Sequence, residues 1–373
     1  MASIRPVIRL DRLVLPRETS PTRPQDGNVQ TLRGVACLLL VAFHTVGSSS
    51  ASGLHVPDGS AYREFTNLLV HIRMPLFTFL SGLVYAYRPL HPGEAMRFLG
   101  KKLRRLGVPL LVASTILYGL HLAAHDAVSP LSRMWSVYVY PFYHLWFVQA
   151  LLPVFAVLVV LERLRALATS GRFMAVLALS LMAYWYGTLL PSDAFGLRNA
   201  TYLLPFFLWG VGVHRFRGLL QSQLALIAAA SCFIVAQGFH GYIVLTRTLA
   251  PIDPVATRSA WTILIGMSAG LCGMRFLVRI PVVERVGASS YAIYLYHPLF
   301  VAAVLAGLGV LHALPTILLF AAAAAAGMVG PMVMELVAAR VPVGGLLLEG
   351  RGRQSPPPAP ADGEERELTL RVA

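Results

Sequence analysis

Thr31-Leu32-Arg33-Gly34-Val35-Ala36-Cys37-Leu38-Leu39-Leu40-Val41-Ala42-Phe43-His44 is the stretch that decides the fold class. Ten uncharged residues separate its arginine from its histidine, and the apolar run continues to about residue 49. A helix rising 1.5 Å per residue needs roughly 20 such residues to cross about 30 Å of hydrocarbon. Nine comparable segments follow, at about 66–87, 104–122, 145–161, 172–190, 200–214, 221–240, 257–277, 289–309 and 313–338. The shorter ones carry Pro153 and Pro205, which a membrane helix tolerates as kinks. The expectation is an all-α integral membrane protein, a polytopic bundle of about ten transmembrane helices.

Composition agrees with that reading. The 373 residues are 56% hydrophobic and only 13% charged, against about 25% charged in soluble domains. The mean hydropathy is +0.65. Thirty-one Lys and Arg against 17 Asp and Glu give a net charge of +14, which in a soluble chain would point to nucleic acid. Here the cations lie between apolar segments. With the N-terminus inside, 25 of them fall on the cytoplasmic side and six on the other. That asymmetry fits the positive-inside rule with both termini cytoplasmic, as in a multi-pass protein of a bacterial inner membrane, and no nucleic-acid partner is needed.

The ends are polar. Residues 1–27 hold Arg5, Arg9, Arg12, Arg17 and Arg23 with no apolar stretch of signal-peptide form, and read as a disordered basic tail. Residues 28–340 form the membrane domain, and 341–373 a cytoplasmic tail with Pro356-Pro357-Pro358 and an acidic run. Cys37, Cys232 and Cys272 stand at unrelated spacings inside apolar stretches, as small buried side chains. His121 and His125 have i, i+4 spacing but no third ligand, so no metal site is expected. Internal repeats of the transporter kind are not evident.

Arg33 and His44 lie on one helix face, because eleven residues at 100° each come to three turns plus about 20°, some 16 Å apart along the axis. A cation at the cytoplasmic surface suits a phosphate. An imidazole deeper in the membrane is suited to taking a proton near neutral pH. A long thioester such as acyl-CoA would span the two, its phosphates on the first and its acyl carbon at the second. The plainer alternative is a positive-inside arginine with an interfacial histidine.

Other polar groups stand out against the apolar background. Arg73, in His71-Ile72-Arg73-Met74-Pro75-Leu76-Phe77-Thr78-Phe79-Leu80-Ser81-Gly82, shares a face with Phe77 and Ser81 and is costly at that depth unless it pairs or snorkels. Ser81-Gly82 reads equally as close helix packing. Lys101-Lys102-Leu103-Arg104-Arg105 is either a headgroup-binding cluster or a second phosphate patch on the Arg33 side. Tyr143-His144-Leu145-Trp146-Phe147 reads as an aromatic belt. Ser290, Tyr294 and His297 follow i, i+4, i+7 in Ser290-Tyr291-Ala292-Ile293-Tyr294-Leu295-Tyr296-His297-Pro298, and look like a cavity wall.

Taken in order, these motifs resemble those of the membrane acyltransferase-3 family, integral-membrane O-acyltransferases acting on carbohydrates. The resemblance spans roughly 28–340, and the Arg73-Met74-Pro75-Leu76-Phe77 wording is similar to the fucose 4-O-acetylase subgroup. It implies that His44 takes the family's essential histidine role and Arg33 its partner arginine. The family's Arg-x-x-Arg motif falls on Lys102-Leu103-Arg104-Arg105, where lysine supplies a point charge in place of the planar fork. Some members carry a C-terminal esterase-like domain, which the tail here is too short to form.

The expected activity is transfer of an acyl group, acetyl foremost, from acetyl-CoA or another acyl-CoA as co-substrate to a hydroxyl of a glycan or lipid-linked sugar of the cell envelope. His44 is the expected base, with Arg33, Lys102 and Arg105 on the donor. Arg73, Ser81, Trp146, Ser290, Tyr294 and His297 are expected to line the cavity or meet the acceptor. No tightly bound cofactor is expected, and the remaining partners are membrane lipids. Two competing readings are a flippase for a lipid-linked glycan and a non-catalytic partner in envelope assembly.

Overall fold

The computed structural model of the chain describes residues 24–123, 131–246, 256–309 and 314–351. His125, Arg247 and most of both expected tails lie outside the described residues. All the regular structure described is helical. Each of the ten apolar segments holds a helix: α1 (Pro24–Val46), α2 (Ala61–Leu68) with α3 (Val70–Tyr87), α4 (Ala95–Lys102) leading to α5 (Val108–Ala123), then, beyond the short α6 (Ser136–Val139), α7 (Trp146–Arg163) and α8 (Ser170–Tyr186). The order continues with α9 (Leu197–Arg215), the turn α10 (Arg217–Leu220), α11 (Gln223–Thr246), α12 (Ala260–Phe276), the short α13 (Pro281–Ala288), α14 (Ser290–Gly309), α15 (Thr316–Ala338) and α16 (Gly344–Glu349). Seven helical stretches among the described residues are long and apolar enough to cross a membrane. α12 is apolar but shorter.

Because lipid tails are as apolar as leucine, such helices associate through close fit more than through water exclusion. Small residues mark the crossings. A Cβ on Gly82 would collide with the Phe207 carbonyl, and one on Gly210 with that of Phe79, so α3 and α9 approach backbone to backbone. The same holds where α13 presses on α1, with Gly34 against Val283 and Gly287 against Gln30. That contact fixes the α1 turn carrying Arg33 beside the start of α14.

α1 packs on α3, α13, α14 and α15 and buries Leu32, Ala36, Leu40 and Val41 along one face. By contrast only 17% of the α15 span is buried, as befits a helix turned to lipid. α16, in the segment expected to be tail, packs against α5. There the Tyr296 hydroxyl donates to the Leu348 carbonyl at 3.2 Å, and Glu349 is buried.

Candidate active site

Three histidines distant in sequence meet in this bundle: His44 of α1, His144 from the turn before α7, and His297 of α14. Their ring centroids stand 4.9 Å (His44–His297), 5.2 Å (His144–His297) and 5.9 Å (His44–His144) apart. The His297 ring is held by its neighbour in sequence. Pro298 lacks the N–H that would bond the Tyr294 carbonyl four residues back. His297 supplies the donor instead: its Nδ1 lies 3.0 Å from the Tyr294 carbonyl and 2.8 Å from that of Ile293.

Carbonyls only accept, so the His297 proton is assigned to Nδ1 and the lone pair to Nε2, a buried atom with no partner. His144 is fixed the other way round, its Nε2 donating to the Leu295 carbonyl at 3.0 Å. Its backbone is held as well, since the Tyr294 hydroxyl donates to the His144 carbonyl. Tyr143, just before it, has φ of +43°, the kind of sparsely populated geometry that surrounding structure must impose. Both rings therefore present a lone pair on the nitrogen left over, and His44 stands beside them, half-buried.

Arg73 completes this centre. Its guanidinium lies 3.6 Å from the centroid of the Phe43 ring, next to His44 in the chain. It is 7% exposed, and its Nε and Nη1 have no hydrogen-bond partner. Among the described residues, no carboxylate pairs with His44 or Arg73. Glu284 pairs with Arg279 and Glu335 with Arg351, so these two of the three acids near membrane segments are engaged elsewhere.

A cavity of about 410 Å³ opens at the Arg33 end of α1. Arg33, Arg88, Lys102, Arg105 and Arg351 line it, with no Asp or Glu among the lining residues. A π-helical turn over Leu103–Gly107 joins α4 to α5 and carries Arg105 within it. Such wide turns recur at functional sites. The Lys102 ammonium sits 4.0 Å from the Phe155 ring centroid, and the Tyr291 hydroxyl donates to the Arg105 carbonyl at 2.8 Å. Away from the cations the wall is mostly apolar and aromatic and includes Phe77, Phe147 and Tyr294. The Tyr294 ring lies 5.4 Å from Phe147 and 5.8 Å from His144, so this aromatic cluster separates the basic cavity from the histidines.

On the other side of the histidines a second cavity, about 700 Å³, is lined by His44 itself, by Gly53, Leu54 and His55, and by aliphatic residues of α14 and α15. Buried Arg63 holds the loop above it, donating to the Gly47 carbonyl at 2.5 Å and the Val56 carbonyl at 3.3 Å.

The arrangement thus brings His44, His297 and Arg73 to one centre and gathers Arg33, Lys102 and Arg105 round one cavity. Ser81, Ser290 and Tyr294 line the basic cavity, and Ser81 spends its hydroxyl on the Phe77 carbonyl at 2.9 Å. Trp146 stands beside Tyr202, at 6.1 Å between rings. His144, read in the sequence as part of an aromatic belt, is instead buried against the other two imidazoles. Arg88 and Arg351 join the cation set without having been singled out. A polar ring inside an apolar run was the available signal for His144. For the two arginines there was none, since arginines outside the apolar segments all look alike in a charge count.

A family model described as an acyltransferase domain, Acyl_transf_3, matches residues 26–336. No curated protein and no solved structure matches the chain. The family match covers both cavities' membrane helices and all three histidines; with the helical membrane fold, it establishes the chain as a membrane acyltransferase of the acyltransferase-3 family.

Proposed function

We propose that this acyltransferase moves an acyl group, acetyl in the simplest case, from acyl-CoA to a hydroxyl of a glycan or lipid-linked sugar of a bacterial envelope, from within the cytoplasmic membrane. The observation that carries the reading is the line of features from end to end: a five-cation cavity, an aromatic divide, and an imidazole that opens into a second cavity. A phosphate-bearing donor suits the first, since charge-assisted contacts to guanidinium are the strong ones. The roughly 16 Å between Arg33 and His44 along the helix is then crossed by the donor's thin arm against the apolar wall.

In this mechanism a His44 nitrogen takes the proton of the acceptor hydroxyl as its oxygen attacks the thioester carbonyl carbon. The tetrahedral oxyanion faces the unpartnered Nε–H and Nη1–H of Arg73, donors that require no reorganisation. Collapse breaks the C–S bond, and the departing thiolate takes up the proton held on His44. His297 acts as a positioning residue: its Nε2 lone pair, unpartnered at rest with the ring centroids 4.9 Å apart, takes the His44 N–H as the reaction proceeds and leaves the other His44 nitrogen free for the hydroxyl. Arg33, Arg88, Lys102, Arg105 and Arg351 hold the phosphates.

The test is transfer from labelled acetyl-CoA by the full chain in detergent, supplied with native membrane extract. His44→Ala should lower the rate by about 10²- to 10⁴-fold, the usual contribution of a general base, while CoA binding persists. Wild-type transfer by that variant would remove His44 from the mechanism.

A further inference from the structure

Arg351 lines the basic cavity with two carboxyl groups at its back. Its Nε sits 3.0 Å from Glu349 Oε2, and its Nη2 donates to Glu335 Oε1 at 3.0 Å. The fork of a guanidinium ordinarily takes both oxygens of one carboxylate. Here it takes one oxygen from each of two, which brings a carboxyl of α15 and a carboxyl of α16 together round a single positive charge. Both are largely buried, with 14% of the Glu335 side chain and 6% of the Glu349 side chain exposed. The second Glu335 oxygen, Oε2, is buried without a partner. Two carboxylates so placed repel, and the second to ionise does so with difficulty. Glu349 is the group affected: burial, and then the Glu335 carboxyl, push it up to about 7. Its place is fixed by the chain beyond it. Gly350 has φ of +64°, and a Cβ there would collide with the Arg105 Cα and the Arg104 carbonyl, so the end of α16 rests directly on the π-helical turn.

We infer that Glu335 and Glu349 are positioning residues for the donor: they hold Arg351 at the wall of the basic cavity and yield it to a donor phosphate in exchange for a proton from solvent. The inference rests on the reading of that cavity as the donor phosphate site and adds a proton linkage to it. Phosphate and carboxyl pair compete for one guanidinium. When the phosphate takes it, the pair loses its counter-charge, and Glu349 takes up a proton, leaving one negative charge where there were two. Arg105 faces Glu349 from the π-helical turn and lines the same cavity, so the same phosphate draws on it as well. Tyr291 and Tyr296 face Glu349 from α14, as phenols that carry no charge near neutral pH. A carboxyl that binds its proton more tightly with donor bound than without it favours the complex at low pH. Donor affinity is therefore full below about 7, the value for Glu349 without donor, and falls as pH rises through it.

Calorimetric titration of CoA into the full chain in detergent at pH 6.5, 7.5 and 8.5 tests this, each in two buffers of different ionisation heat so that protons taken up are counted. Wild-type affinity should fall about tenfold from pH 6.5 to 8.5, with net proton uptake on binding at pH 8.5. Titration of CoA's own phosphate is common to every variant and cancels in the comparison. Glu349→Gln, whose amide never ionises, should bind CoA more tightly than wild type at pH 8.5, with a flatter profile and no uptake. Arg351→Ala should bind more weakly than wild type at pH 6.5, again with the flatter profile, a change that a merely structural role of the pair would not produce. A flat wild-type profile, the wild-type slope retained in either variant, or weaker binding by Glu349→Gln than by wild type at pH 8.5 overturns the inference and leaves the donor site standing. Absence of CoA binding by wild type at all three pH values overturns the reading of the basic cavity and the inference with it.

Discussion

His297 presents a lone pair to His44 because Pro298 frees the Tyr294 carbonyl, and the ring turns its Nδ1–H to that carbonyl. Asn and Gln divide the two functions of the ring, since an asparagine amide reaches the Nδ1 position and a glutamine amide the Nε2 position. His297→Gln keeps an acceptor for His44 and should retain transfer within about tenfold. His297→Asn keeps only the backbone contact and should lose about 10²-fold in kcat, the lower range for general-base catalysis, with the donor KM unchanged. Steady-state kinetics of the two variants decide it; equal activities would exclude the orienting role. The two arginines separate in the same way. Arg33→Ala removes a charge-assisted phosphate contact worth about 1.5–3 kcal/mol, so CoA should bind roughly 10- to 150-fold more weakly. Arg73→Ala should lower turnover by about 10²- to 10³-fold, as loss of an oxyanion donor does, with CoA affinity nearly intact. Titration of CoA against both purified variants measures the split, and equal losses of affinity would contradict it.

At the scale of elements, α16 bears on the basic cavity. Arg351 lines that cavity while its Nε sits 3.0 Å from a Glu349 oxygen and its Nη2 3.0 Å from one of Glu335. Burial, and then the neighbouring Glu335 carboxyl, push the Glu349 carboxyl up to about 7, against the pull of Arg351 and Arg105. An acid raised by docking holds its proton more tightly docked than free. Its contribution is therefore present at low pH and lost as pH rises from the ordinary carboxylate range through about 7. Amide exchange over 344–351, corrected for the intrinsic rate, should show less protection at pH 8 than at pH 6, and Glu349→Gln should flatten the difference. Protection that increases with pH would reverse the sign. This contact was not legible in the sequence, where 341–373 reads as one polar tail. Gly344–Glu349 is too short to show a period, and its docking rests on Tyr296 and on Arg105, far away in the chain. The helices themselves were legible, because apolar runs of membrane length need only be counted. So was the Arg33–His44 pair, which one helix period relates. The convergence of His144 and His297 on His44 was not, since 100 residues of chain or more separate the histidines and only the packing of α1, α7 and α14 closes the distance.

Over the whole molecule, cations and imidazoles are segregated along the length of α1. Arg33, Arg88, Lys102, Arg105 and Arg351 gather at one end, and His44 opens toward the other. On the function proposed above, the Arg33 end, which carries the positive excess, faces the cytoplasm, where CoA esters are made, and the second cavity faces the opposite leaflet. Acyl transfer is then vectorial: donor and acceptor approach from opposite sides and meet at His44. Sealed vesicles of known orientation, given membrane-impermeant acetyl-CoA from outside, test this most directly. Inside-out vesicles, which expose the Arg33 end, should acetylate their native acceptors at once, whereas right-side-out vesicles should do so only after permeabilisation, and His44→Ala vesicles in neither case. Equal His44-dependent labelling of intact right-side-out vesicles would contradict the assignment of donor and acceptor to opposite faces.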